Sequence, residues 1–320
     1  GQGEAIDPGL NINGKQQTIQ GYVTDILIDQ SLQFINQKRE QPFLLYLAHK
    51  ALHPNVVQRD DGSTSNIAQG GFVAADRHKG MYDSVLFNRR PNYNIPPLDK
   101  PALSRKIDGL PPLSAETSTK EKTIRERSEM LMAVDEGLGA ILKTLEDKGE
   151  LDNTIIVFTS DHGYHLGEHD FWAKVSLHDE SARVPLIISV PGNANNGKNC
   201  PRPVELIDVH ATLADVCGLP LPQSDGVSLK PLLDNPKAAW DKPAFSQTLR
   251  GAPVGTTAPN FDPKNLNKGK KGKGKGKAGG FFGVSVRTEQ FRYTEWDEGR
   301  QGATLFDMQS DPQESKIGRA

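Results

Sequence analysis

The sequence predicts an α/β fold with a mostly parallel central sheet flanked by helices, and three observations carry that prediction. Segments with helical spacing alternate with short β-branched runs over residues 121–218, the order that builds strands with crossover helices. Polar clusters rich in His and Asp follow directly on the ends of two apolar runs, where open α/β sheets collect their functional groups. Finally, 320 residues with 36% hydrophobic content are enough to bury a large core.

The elements follow in chain order. Gly21 to Phe34 carries apolar residues at helical spacing, with Thr24 and Asp25 as candidate N-terminal caps, and Gln41-Pro42 ends it. Phe43 to Ala48 reads as a buried strand. From Asp60 to about Thr119 the chain is rich in Gly, Pro, Asn and Ser, an excursion of the kind that carries binding determinants. In the next segment Met130, Ala133, Val134, Leu138, Ile141, Leu142 and Leu145 form one apolar face of a long helix, closed by Lys148-Gly149. Ile155 to Phe158 and Pro185 to Val190 are core strands, and Asp208 to Gly218 is a short helix. After Pro243 the character changes. Gly283 to Glu295 alternates like a strand and Ala303 to Met308 is another, which predicts a small antiparallel C-terminal subdomain. The expected division is therefore 1–242, an α/β domain, and 243–320, a small α+β subdomain with a disordered Lys/Gly loop at 264–280.

Composition excludes several function classes. The longest apolar runs, Phe43 to Ala48 and Val184 to Val190, are far below the roughly 18 residues of a membrane span. Charges number 38 basic against 40 acidic, but seven of the lysines lie in 264–280; outside it, 31 basic residues face 40 acidic ones. A body of net charge −9 is a poor general binder of nucleic acid, so any anion must be met at a local site. Cys200 and Cys217 do not make a disulfide framework and leave pairing open. The opening GQGEAIDPG has no Met and no apolar leader region, so a processed chain or a fragment is expected.

Five of the eight histidines fall in the two strand-end clusters, too many for chance crowding. The first is His49-Lys50-Ala51-Leu52-His53-Pro54; the second runs from Ser160 through Asp161-His162-Gly163 and His165 to His169, with Lys174 beyond. Adjacent Asp and His at a strand end suit a metal, while Lys and His donors suit an oxyanion. For His49 and His169, a solvated or supporting role explains the residue equally well, and the same holds for Lys50 on its residue type alone.

Five stretches give the chain a resemblance to the sulfatases of the alkaline phosphatase superfamily. They are FLLYLAHKALHPN (43–55), AVDEGLGAILKTLEDKGELDNTIIVFTSDHGYHLGEH (133–169), WAKVSLHDESARVPLIISVPG (172–192), IDVHATLADVCGLPLPQSDGVSLKPLL (207–233) and LFDMQSDPQE (305–314). Asp-His-Gly followed by Trp-Ala-Lys is most similar to the branch holding iduronate-2-sulfatase and bacterial polysaccharide sulfatases. The resemblance implies an alkaline-phosphatase-like fold. It implies Asp161 and His162 as metal ligands, with Ca2+ the usual ion and Zn2+ or Mg2+ open. It implies His53 and Lys174 as the catalytic sulfate-contacting pair, and His165 and Lys50 as substrate-binding residues. An imidazole ligand is softer than calcium favours, and Asp-His-Gly also resembles zinc phosphodiesterases of the superfamily. Their upstream Asp-x-x-x-His pair is absent before Asp161, which favours the sulfatase reading.

The family's nucleophile, a formylglycine made within Cys/Ser-x-Pro-x-Arg, is not in this sequence, nor are the paired aspartates and Gly-Lys-x-x-His segment. All belong N-terminal to the point matching Gly1, so the chain resembles the C-terminal part of a sulfatase. The expected function is hydrolysis of sulfate esters on a sulfated small molecule or polysaccharide, with the chain alone inactive. The other readings are a zinc phosphodiesterase or a non-catalytic protein that binds sulfated glycans. No nucleic-acid partner and no membrane span are expected. Family habit implies a periplasmic or secreted location.

Overall fold

The helix expected near residue 21 forms as α1 (Val23–Asn36) and buries Val23, Ile26, Ile28 and Ile35. Its cap differs from expectation. Tyr22 holds the N-cap position without a side-chain bond, and the Val23 N–H donates instead to the Ala5 carbonyl at 2.8 Å. Thr24 is fully buried, and Asp25 accepts both Arg77 Nη1 and Nη2 at 2.8 Å, so neither side chain is available to cap. In this computed structural model residues 3–55, 71–95, 121–174, 176–221, 223–250 and 281–315 are described. They fall into two units, one containing Gly1–Asn88 and Thr119–Asn153, the other Arg89–Ser118, Thr154–Pro253 and Ala258–Ala320.

In the first unit a hairpin, β1 (Gly9–Ile12) and β2 (Lys15–Thr18), pairs Ile12 with Lys15 around Asn13-Gly14, both left-handed. This is the Asn-Gly turn chemistry that matches strand twist, although period-two hydrophobicity is too weak in these strands to announce it. The long helix α2 (Glu121–Asp147) buries Ile124, Met130, Ala133, Ile141 and Leu145 and packs on α1. Gly137 lies at the crossing, where an added Cβ would collide with the Ile28 side chain. Gly149, left-handed, closes the helix while the Glu150 N–H returns to the Leu145 carbonyl at 2.8 Å, as Schellman-type ends do.

Phe43 to Ala48 departs from the buried strand expected of it. It joins no ladder among the described residues, and Leu44 and Tyr46 are 78% and 89% exposed. Burial still alternates residue by residue, the signature of a strand with one covered face.

The second unit contains β3 (Ile156–Thr159), β4 (His165–Leu166), β5 (Trp172–Ala173), the helical turn α3 (Asp179–Ala182), β6 (Leu186–Ser189), α4 (Asp208–Val216) and α5 (Lys230–Asp234). The four strands β7 (Ala244–Arg250), β8 (Phe281–Arg287), β9 (Phe291–Trp296) and β10 (Ala303–Asp307) form one antiparallel sheet in the order β10-β9-β8-β7. The antiparallel C-terminal sheet matches expectation, except that the single alternating run 283–295 is two strands. Thr288 folds the chain back, its N–H bonded to the Phe291 carbonyl at 2.8 Å and its Oγ1 accepting the Phe291 N–H at 2.9 Å. β3 and β6 pair antiparallel, Ile156 opposite Ser189 and Thr159 opposite Leu186. The ladders among the described residues are all antiparallel, so the mostly parallel central sheet expected from the sequence has no parallel ladder within them. Phe171, Leu177, Phe281 and Trp296 form a core cluster of this unit. Cys200 and Cys217 are free and exposed. The Lys/Gly run at 264–280 lies outside the described residues.

Candidate active site

The sequence-predicted residues divide between the two units. In the first, Lys50 and His53 sit on a tight turn after Ala48. The His53 N–H donates to the Lys50 carbonyl at 2.9 Å, Lys50 Nζ donates to the Pro54 carbonyl at 3.1 Å, and His53 Nδ1 donates to the same oxygen at 2.9 Å. Arg127 on α2 donates to the Leu52 carbonyl at 2.8 Å, which fixes the turn on the helix. Burial lowers the Lys50 ammonium pKa, because desolvation disfavours the charged form.

In the second unit β3 ends in Ser160-Asp161-His162-Gly163. Gly163 carries no Cβ because one would strike the Glu180 carbonyl; its N–H donates to the Ser181 carbonyl at 2.9 Å. That contact stops the strand-end loop where His162 meets Lys174. His162 Nδ1 donates to the Gly163 carbonyl at 2.8 Å, and Nε2 accepts from Lys174 Nζ at 2.6 Å. These two contacts hold the ring with Nε2 turned toward Lys174. Asp161 Oδ2 lies 3.3 Å from the same nitrogen, and Oδ1 accepts the His162 N–H at 3.0 Å. Asp161, His162 and Lys174 therefore share one rim, with the carboxylate side chain 81% exposed. Burial lowers the Lys174 pKa, and attraction to Asp161 opposes that. One carboxylate and one imidazole fit part of a divalent-metal shell, with an ammonium beside them suited to an anionic substrate oxygen.

His165 is placed differently from its expected substrate-facing role. It is wholly buried, its Nε2 bonded to Ser176 Oγ at 2.7 Å, and burial drives its pKa to about 3. It pairs across β4 and β5 with Ala173, so it underlies the hairpin that delivers Lys174. The turn of that hairpin, Glu168 to Phe171, puts His169 and Asp170 in left-handed conformations, and the Phe171 N–H closes it on the Glu168 carbonyl at 2.9 Å.

Beneath the hairpin lies a buried polar network that the sequence did not announce. His169 and His178 stack with ring centroids 3.9 Å apart. His178 Nδ1 bonds Glu314 Oε2 at 2.7 Å, Arg292 Nε lies 2.5 Å from Glu314 Oε1, and Arg292 Nη2 pairs with Asp179. Asn92 Nδ2 reaches Glu180 Oε1 at 3.0 Å and the Gln313 carbonyl at 2.9 Å. Burial opposes ionisation of Glu180, but hydrogen bonds from His169 and Asn92 hold its carboxyl well below the usual range. The available signal was the cluster His178-Asp179-Glu180 close behind Lys174. His169, His178 and Glu314 also bring one donor atom each within 4.8 Å of one another, a possible metal site.

Asp161, His162 and Lys174 thus lie together at the end of one strand. Comparison with known proteins gives the family. The model of the family described as Sulfatase matches residues 6–219, and the chain belongs to the sulfatase family. It is 27% identical over 307 residues to N-acetylglucosamine-6-O-sulfatase of Bacteroides thetaiotaomicron, covering 76% of this chain and 52% of the relative. It is 31% identical over 233 residues to human N-acetylglucosamine-6-sulfatase, covering 70% of this chain and 39% of the relative. The chain thus spans about half the length, or less, of these relatives. A solved structure described as a complex with its substrate D-glucosamine-2-N,6-O-disulfate superposes with a TM-score of 0.72 at 23% identity, over 99% of this chain and 69% of the other. That likeness establishes the alkaline-phosphatase-like α/β fold. Sulfatases generally bind a divalent metal, and no helix among the described residues is long and apolar enough to cross a membrane.

Proposed function

We propose that this chain is part of a sulfuric ester hydrolase acting on a sulfated carbohydrate. The observation that carries the reading is the convergence of Lys174 Nζ, His162 Nε2 and Asp161 at the end of β3, in a chain of this family. Relatives named for N-acetylglucosamine 6-sulfate support an amino-sugar sulfate as substrate. In this reading Lys174 neutralises sulfate oxygens, which lowers the cost of charge that develops there during S–O cleavage; a sulfate-contacting role for His53, in the other unit, rests on the family resemblance. Lys50 shapes the His53 turn, and a partly desolvated ammonium there favours anion over water. Asp161 and His162 would hold a divalent cation, Ca2+ by family habit, which would position and polarise the sulfuryl group. The nucleophile is a formylglycine supplied by polypeptide outside this sequence. A periplasmic or secreted location belongs to the same reading, because sulfated polysaccharides are met there.

The test compares the 320-residue chain with a complete protein carrying an upstream sulfatase segment, on N-acetylglucosamine 6-sulfate and an aryl sulfate. Sulfate release by the complete protein alone is expected, and Lys174→Ala should cut kcat by about 10²- to 10³-fold. Turnover by the isolated chain that His53→Ala abolishes would overturn the assignment of the nucleophile. Hydrolysis of a phosphodiester with no sulfate release would overturn the substrate class.

A further inference from the structure

We infer that His169, His178 and Glu314 form a second, structural metal site, distinct from Asp161 and His162, that takes a zinc-class divalent cation. The three side chains are buried and bring their donor atoms within 4.8 Å of one another. Two imidazoles and one carboxylate select a borderline transition metal over calcium, which prefers an all-oxygen shell. Arg292 pairs with Asp179 and Glu314, Arg183 lies 3.8 Å from Asp179, and Arg90 reaches Glu180 from a half-exposed position at 3.4 Å.

The surroundings match what metal ligands need. Arg292 engages Glu314 Oε1 and leaves Oε2 turned toward His178, so the guanidinium orients the carboxylate from behind. Asn92 and Glu180 bracket His169. His165, whose Nδ1 is buried without a hydrogen-bond partner among the described residues, packs roughly perpendicular to both rings at 6.2 and 6.3 Å. The stacked rings lie 22° from parallel, and one must tilt about χ2, a soft torsion, for both nitrogens to meet one ion. A metal held by these three ligands, with its fourth position open, would staple the segment after β10 to the hairpin carrying Lys174.

Metal-stripped full chain titrated with Co2+ tests this. One equivalent should bind with the visible absorption of nitrogen-ligated Co2+, Zn2+ should displace it, and Zn2+ should raise the melting temperature. Asp161→Asn should keep the spectrum; His178→Phe, which preserves the ring packing, should lose it. Absence of both the spectrum and the Zn2+-dependent melting shift in the unmodified chain overturns the site, whatever the variants do. A spectrum that survives in His178→Phe but vanishes in Asp161→Asn overturns it as well.

Discussion

Arg292 bridges Asp179 and Glu314 almost wholly out of water, and the pair is more costly to break than it is favourable to form. Arg292→Met in metal-free buffer should lose about 3–5 kcal/mol, read from urea unfolding, because two buried carboxylates are left facing each other. Arg292→Met combined with Glu314→Leu should recover part of that loss. At this scale the sequence was partly legible. Asp161, His162 and Lys174 stood out because three chemically unusual residues follow one strand, and the structure brings them to one rim. His165 was equally visible as a histidine, yet its direction depends on β4 and β5 pairing, which two-residue strands do not signal. Glu314 and Arg292 were illegible, because a charged residue in a polar stretch looks solvated until tertiary contacts bury it.

Helix α2 offers a paired test of packing against propensity. Gly137 meets Ile28 across the α1 crossing, whereas Gly139 on the same helix faces open space. Gly137→Val should cost about 1–3 kcal/mol by overpacking, while Gly139→Ala should gain about 0.5–1 kcal/mol from helix propensity; thermal melts of both variants give the contrast. The same helix presents Glu136 to His78 and Arg77 at 2.8 Å, and their hydrogen bonds hold its carboxyl below the ordinary range. A depressed carboxylate stabilises the fold above its unfolded pKa of about 4.3, and the benefit is lost as pH falls through the folded value. Unfolding measured from pH 6 down to acid, with window limits set by about that value, should show a shallower loss in Glu136→Gln. Long periodic helices were legible with their ends nearly in place, since fifteen or more residues repeat one message. The cap of α1 was not, because Ala5 replaced the side-chain oxygen that a local reading requires.

For the molecule as a whole, the exposed side of 43–48 is the feature at odds with a finished core. Leu44 and Tyr46 present large apolar surface at alternate positions, the pattern of a strand that invites a neighbour. The isolated chain should therefore self-associate with rising concentration, and Leu44→Lys with Tyr46→Lys should return it toward a single species in sedimentation velocity. An apolar run does say strand, but not which neighbours cover it, so the class of fold was legible and the exposure was not.

The clamp between His178 and Glu314 joins residues 136 positions apart. Synthesis runs from the N-terminus, so the hairpin that carries Lys174 emerges from the ribosome long before its counter-charge exists. Until residue 314 is made, His178 lacks the carboxylate that it later bonds, and that loop lacks its clamp. The rim at Asp161 and Lys174 is thus among the last parts of the unit to set. A nascent chain halted after β10 should resemble the finished protein in its sheets while its candidate site remains open to protease.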